Sequence, residues 1–352
     1  MHPTRRQFVG STLAGLTASA AAGREAPRAK SRLGILFYSY GIRARQERQQ
    51  GFAEPVAFLK FCHERGAAGG QLPIGQRDQD QATAIRRTCD ELGMYLEGII
   101  RCPGDAGDVQ RFETEVASAK SCGATILRTV MLGGRRYEEF TKAADYPQFG
   151  ERAEQALHRA EPIARKHRVK LAVENHKDYR TDELLDLLRK LSSEYVGVCL
   201  DTGNNLALLE EPQQVVRDLA PFAITVHFKD MAVEDAPDGF LLAEVPLGKG
   251  ILDLKSIVAV LRQANPRIRF NLEMITRDPL SIPCLGEKYW ATLGRVPAPD
   301  LARTLALVRR SRRPQPLPRI AQLPPREQLA AEEAHVRESF AFAGKEQLLP
   351  EA

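Results

Sequence analysis

No two cysteines in this 352-residue chain stand at CxxC spacing. The six, at positions 62, 89, 102, 122, 199 and 284, are scattered, which excludes a thiolate zinc site and a dense disulfide scaffold. Cys102, Cys122 and Cys199 fall in or near apolar segments, where buried free thiols are expected. No basic stripe is interleaved with aromatics, and the net charge is only +5, so the footprint of a nucleic-acid binder is missing. The glycine-containing PLGKGILD segment lacks the spacing and the Ser/Thr of a phosphate-binding P-loop; Gly248 and Gly250 predict a close turn instead. No internal repeat is strong enough to divide the chain. An apolar fraction of 43% with 27% charged residues is that of a soluble globular protein with a large core.

The first thirty residues do not read as fold. TRRQFV at 4 to 9 is followed by a mildly apolar stretch from Phe8 to Ala22 that ends in the small residues ASAAAG. A twin arginine, a short apolar region and an A-x-A-like cleavage site predict a twin-arginine export signal with cleavage near Ala20 to Gly23, and hence a periplasmic or otherwise exported protein. At ~15 residues the apolar region is too short to span a bilayer, so no membrane association is expected after cleavage. Residues 1–30 are therefore assigned to signal and linker.

From residue 31 to 311 short apolar runs alternate with helical patterns. The predicted strands are 33–39, 67–72, 94–100, TILRTVM from 125, VKLAVENH from 169, VGVCLDTGN from 196, ITVHFKD from 224 and RIRFNLEM from 267. The predicted helices include 54–66, 79–92, 108–121, about 149–167, one capped by Thr181, one starting near Pro212, 254–264 and 300–310. Eight such alternations predict an α/β fold, a single (β/α)8 barrel. An insertion at 231–252 lengthens the seventh unit. Residues 312–352 form a C-terminal extension: a proline-rich, basic strap over 311–325, then a helix in which Glu332, Glu333 and His335 are read as a solvated charged face.

The later strands end abruptly in polar residues, and four of these carry chemistry. Glu174, Asp201, His227 and Glu273 are separated by 27, 26 and 46 residues, about one βα unit each with the insertion in the last interval. Parallel strands place their C-terminal ends on one face, so three carboxylates and one imidazole converge at the barrel mouth. Like charges at that density repel unless a cation sits among them. Oxygen ligands with a single imidazole suit Mn, Mg or Co, with Zn as an alternative.

The ordered set VENH, CLDTGN, VHFKD and LEM resembles the xylose-isomerase-like barrel family of sugar isomerases and epimerases, over roughly residues 33 to 310. That resemblance implies one divalent metal held by Glu174, Asp201, His227 and Glu273, with Glu174 and Glu273 also acting as the acid–base pair on opposite faces of a sugar. The residue three beyond the Asp, often His in the family's epimerases, is Asn204 here. The expected activity is isomerisation or epimerisation of a small sugar or sugar derivative through an enediolate. The alternative is a lyase that decarboxylates a 3-oxo sugar acid. A trinuclear-zinc nuclease from the same broad group is excluded by the scarcity of histidine, since only His176 and His227 stand at strand ends. A non-catalytic sugar-binding barrel is disfavoured by the intact quartet. Self-association into a homo-oligomer is left open.

Five further residues are candidate substrate contacts. His176, two beyond Glu174, either binds a sugar hydroxyl or supports a ligand from behind. Asn204 takes the place just described. Lys229 either neutralises a substrate carboxylate or enolate, or pairs with Asp230. Arg128, inside an apolar strand, must face inward toward a site carboxylate. Arg277 either binds an anionic substrate or lies on the surface.

Overall fold

A computed structural model describes residues 32–312 and 315–349. The predicted export signal lies outside the described residues. The chain begins with strand β1 (Leu33–Leu36) and the short helix α1 (Gly41–Gln46), followed by α2 (Pro55–Glu64), β2 (Gly69–Pro73), α3 (Gln79–Leu92) and β3 (Tyr95–Ile99). Next come α4 (Val109–Ser121), β4 (Ile126–Thr129), a single turn α5 (Arg136–Glu139), α6 (Asp145–His167), β5 (Lys170–Glu174), α7 (Thr181–Leu191), β6 (Val196–Asp201) and α8 (Pro212–Leu219). The chain continues through β7 (Ala223–Phe228), β8 (Asp230–Ala236), β9 (Gly239–Val245), α9 (Leu254–Ala264), β10 (Arg269–Leu272), β11 (Leu280–Ile282), α10 (Ala298–Arg310) and α11 (Pro325–Lys345).

Eight parallel strands close into a barrel in the order β1-β10-β7-β6-β5-β4-β3-β2, a (β/α)8 architecture. The strands are short and mostly buried, as both faces of a parallel sheet require. Helix ends follow local chemistry. Asp78 accepts from the Gln81 N–H while Gln81 reaches back to the Asp78 N–H, so α3 starts on a capping box and stops at Gly93, whose φ is 63°. Glu211 accepts from the Gln213 and Gln214 N–H groups ahead of Pro212. Thr181 is not the cap of α7: Glu183 accepts from the Arg180 N–H at 2.8 Å, and the Glu210 carboxylate takes the Thr181 N–H.

The insertion after β7 is a hairpin. β8 and β9 pair antiparallel, and β11 adds to β9. Met231, Phe240, Leu242, Ile282 and Tyr289 form a second core beside the mouth, separate from the main core between barrel and helices. The turn predicted at Gly248 and Gly250 wraps the Asp230 carboxylate, which accepts from the N–H groups of Gly248 at 3.0 Å, Gly250 at 2.8 Å and Leu252 at 3.1 Å. A Cβ on Gly250 would lie 2.1 Å from Asp230 Oδ1, so the wrap requires glycine there.

The charged face expected on α11 is not solvated. Glu332 is buried and accepts from the N–H groups of Ile42 at 2.6 Å and Arg43 at 2.9 Å, capping α1 from 290 residues away. Glu333 pairs with Arg65 at 3.0 Å, and His335 meets the Thr276 hydroxyl at 2.9 Å. Val336, Ala343, Leu348 and Leu349 join the main core, so the extension is part of the fold.

Candidate active site

Glu174 and Asp201 are the last residues of β5 and β6, His227 is the next-to-last of β7, and Glu273 follows β10. Register aligns them: Asp201 is paired with His227, and the Glu273 N–H donates to the Phe228 carbonyl. One ligand atom from each of the four lies within 4.8 Å of the others, and all four residues are buried. His227 Nδ1 is 2.9 Å from Glu273 Oε2 and 3.3 Å from Glu174 Oε2.

Each side chain is held from behind. Asp201 Oδ1 accepts from the N–H groups of Gly203 at 2.9 Å and Asn204 at 2.7 Å, which explains the DTGN sequence as a turn closed on its own aspartate. Asn175 clamps the same segment, accepting from the Asp201 N–H and donating to its carbonyl. The Ser39 hydroxyl donates to the Leu272 carbonyl and accepts from the Met274 N–H, fixing the backbone on both sides of Glu273. His227 Nε2 lies 2.6 Å from Gln71 Oε1, and the Gln71 amide donates to Glu97 at 3.0 Å. Gln71 thus holds the ring so that Nδ1 points into the quartet.

The outward-facing atoms are unsatisfied. His227 Nδ1, Asp201 Oδ2 and Glu273 Oε2 are buried without a hydrogen-bond partner. Buried polar atoms normally find partners. Three that do not, aimed at one another, fit a divalent cation, and the donor set of carboxylate oxygens and one imidazole nitrogen is that of a metal site. Lys229 Nζ stands 2.8 Å from Asp201 Oδ2, an ion pair that is not aligned as a hydrogen bond, and 3.2 Å from Glu273 Oε1.

The electrostatics follow from burial against a ring of charge. Burial raises the Glu174 carboxyl, but Arg128 and His227 outweigh it and hold the group well below its usual range. Glu273 is likewise held low, Lys229 and His227 overcoming burial. Burial lowers His227, yet Cys199, Glu174 and Glu273 bring it above its ordinary value. Burial pushes Asp201 up to about 7, with Lys229 pulling it down and Glu273 and Glu174 pushing it further up. The Lys229 ammonium itself is strengthened by Asp201, Glu273 and Glu244 against the cost of burial. Two backbone N–H donors and an ammonium at 2.8 Å make Asp201 the carboxylate of the pair.

The remaining sequence candidates fall as follows. Arg128 Nε donates to Glu174 Oε2 at 2.6 Å. Asn204 donates to Glu174 Oε1 at 3.0 Å. Lys229 does not pair with Asp230, whose carboxylate is taken up by the backbone turn. Arg277 is half-buried and bound to Glu244 at 2.7 Å, which corrects a purely surface placement. His176 Nδ1 is buried without a partner, and burial, with Lys177 beside it, holds the ring down to about 3 and therefore neutral. Five residues at the site were not anticipated. Gln71 and Glu97 are lone polar residues in apolar strands, a signal that was available. Asn175 and Lys177 sit in the run that carries Glu174. Glu244 arrives from β9 and had no signal of its own.

The sequence model of a family described as xylose isomerase-like TIM barrel matches residues 59–304. A stretch of 103 residues is 29% identical to 3-oxo-isoapionate decarboxylase of Pectobacterium atrosepticum; it covers 29% of this chain and 38% of that relative's length. The fold is similar to the structure of an L-ribulose 3-epimerase, with a TM-score of 0.55 at 15% identity over 90% of this chain and 95% of that one. It is also similar to a xylose isomerase-like TIM barrel protein from Mycobacterium smegmatis in complex with magnesium, with a TM-score of 0.51 at 16% identity over 78% and 98% of the two chains.

Proposed function

Because the chain belongs to the xylose isomerase-like TIM barrel family, we propose that it is a divalent-metal-dependent enzyme that isomerises or epimerises a small sugar or sugar derivative. The observation that carries this reading is a trio of buried atoms that lack a hydrogen-bond partner and converge on one point, His227 Nδ1, Asp201 Oδ2 and Glu273 Oε2. Glu174, Asp201, His227 and Glu273 would hold one ion. The oxygen-rich set favours Mn, Mg or Co over Zn, and the magnesium in the M. smegmatis relative supports that choice. When bound, the ion polarises a substrate carbonyl and its neighbouring hydroxyl, which acidifies the adjacent C–H.

The protein's own groups divide the remaining work. Both Glu174 oxygens are occupied, one by Arg128 and one by Asn204, so that carboxylate is a weak base held in place. Glu273 Oε2 has no hydrogen-bond partner, which leaves that oxygen available to take up a proton. Glu273 is therefore the proposed base, and Glu174 its partner on the opposite side of the substrate. His176, neutral and with Nδ1 free, is placed to meet a sugar hydroxyl.

The decarboxylase among the relatives favours a second reading, loss of carbon dioxide from a 3-oxo sugar acid with the same carboxylates returning the proton. Incubation of metal-loaded protein with keto sugars and with 3-oxo sugar acids in deuterated water separates the two. Deuterium entering carbon without carbon dioxide identifies the isomerase or epimerase, and carbon dioxide release identifies the lyase. Neither product on any substrate, with metal bound, would refute both. Export is a separate proposal: replacing Arg5-Arg6 by Lys-Lys should leave the precursor in the cytoplasm, and unchanged localisation would count against the signal.

A further inference from the structure

Four cations crowd the quartet, and three of them have an anion. Arg128 holds Glu174, Lys229 lies between Asp201 and Glu273, and Arg277 is bound to Glu244. The fourth, Lys177, is only 3% exposed. Its ammonium donates to a single group, the neutral Asn204 side-chain oxygen. Among the described residues no carboxylate comes within ion-pairing distance of it. Asp178, next in the chain, turns the other way and accepts from the N–H groups of Tyr179 at 2.8 Å and Leu132 at 3.2 Å. A buried ammonium has three protons to place and a large desolvation cost to recover. One amide oxygen meets neither demand.

The lysine is also held in position. The Lys177 carbonyl accepts from the Arg136 N–H at 2.8 Å, and the Asp178 carbonyl accepts from the Tyr146 hydroxyl at 3.0 Å, so the loop after β5 is tied to α5 and α6. Asn204 Oδ1 receives both Lys177 and Lys229, the latter at 3.2 Å, while its amide nitrogen reaches Glu174. One amide therefore links Lys177 directly to a member of the quartet. An anion on Lys177 would lie beside whatever the quartet binds, within the reach of one small molecule.

We propose that Lys177 is the anchor for a carboxylate on the substrate, so that the substrates are sugar acids and not neutral sugars. This rests on the sugar-derivative reading of the site above and narrows it. The carboxylate supplies the missing counter-charge, accepts the spare ammonium protons, and fixes which end of the sugar faces the quartet.

The test is calorimetric binding to manganese-loaded protein, comparing a panel of pentonates and hexonates with the matched pentuloses and hexuloses, for the wild type and for Lys177→Met. The expected result is at least about tenfold tighter binding of the best acid over its matched ketose, the scale of one charge-assisted contact. Lys177→Met should erase that preference, bringing the affinity for the acid down to that for its matched ketose. Should the Met variant not fold, Lys177→Gln carries the same comparison. Equal affinity for acid and ketose, or an acid preference that survives in the variant, overturns the anchor while the sugar reading stands. A wild-type protein that holds manganese and binds neither class overturns both.

Discussion

Glu97 and Glu273 are both carboxylates buried inside the same barrel, and they differ in how many donors they hold and in what their bare oxygen faces. Glu97 Oε2 accepts from Gln71 at 3.0 Å, Thr225 at 2.8 Å and Asn271 at 3.0 Å, while its other oxygen, also without a hydrogen-bond partner, faces Arg269 at 3.7 Å. Glu273 Oε2 accepts from nothing and faces His227 Nδ1 across 2.9 Å. The two layers are neighbours, since Thr225 precedes His227 by two residues on β7 and Asn271 precedes Glu273 by two. A carboxylate with three donors on one oxygen is a fixed part of the frame. A carboxylate with a bare oxygen aimed at other bare atoms is kept for something that arrives. Gln71 joins the layers, because it donates to Glu97 and meets His227 Nε2. The deeper layer thus orients the His227 ring in the upper one.

The largest expected effect breaks the upper layer chemically while leaving its shape. Glu273→Gln keeps an oxygen for the proposed metal and removes the proposed base. Metal content should stay near that of the wild type while turnover falls by roughly 10²-fold or more, the usual loss for a general acid–base group. If the protein is a decarboxylase, bond cleavage should fall less and the product should lose its stereochemical purity. Steady-state rates alongside metal analysis decide; wild-type turnover at normal metal content would rule out a chemical role for Glu273.

The next effect comes from the deeper layer. Glu97→Ala leaves Gln71, Thr225 and Asn271 without their shared acceptor, at about 1–3 kcal/mol for a buried group so orphaned. The thermal midpoint should drop, and metal affinity should weaken by roughly tenfold as Gln71 and the imidazole lose their orientation. A metal titration that gives wild-type affinity for a folded Glu97→Ala protein would disconnect the two layers.

The smallest effect concerns a buried carboxylate outside the quartet, Glu332 on α11. Burial pushes Glu332 up to about 7 although two backbone N–H groups pull it down. An acid whose pKa is raised on folding binds more protons in the native state than in the unfolded one. Its contribution therefore favours the fold at low pH and is lost as pH rises from about 4.5 to about 7. Glu332→Gln should flatten stability across that window with little change in activity. An unaltered pH profile of the thermal midpoint would show that Glu332 is ionised throughout.

The two layers also differ in how legible they were. The quartet stood out because each member interrupts or ends an apolar run, and a parallel barrel turns strand ends into one face. Glu97 interrupts MYLEGII just as visibly, but inside a strand the choice between pointing inward and outward needs the barrel's closure. Lys177 was hidden because a loop lysine carries no periodicity; its burial depends on α5 and α6 closing over it. The β8–β9 hairpin was read as an undivided insertion, since Asp230 begins a new strand almost at once after β7 and the alternation is short. Glu332 looked solvated on helical spacing alone, because its partners, the Ile42 and Arg43 N–H groups, are 290 and 289 residues away.

The bare atoms of the upper layer are proposed to hold a metal ion. Elemental analysis of the purified wild type, Asp201→Ala and His227→Ala tests it most directly. About one divalent ion per chain is expected in the wild type and loss of the ion from both variants, since removing one donor leaves an unbalanced cluster of carboxylates whose pKa values rise. Equal metal content in all three proteins, or none in the wild type after incubation with Mn, Mg or Co, would contradict it.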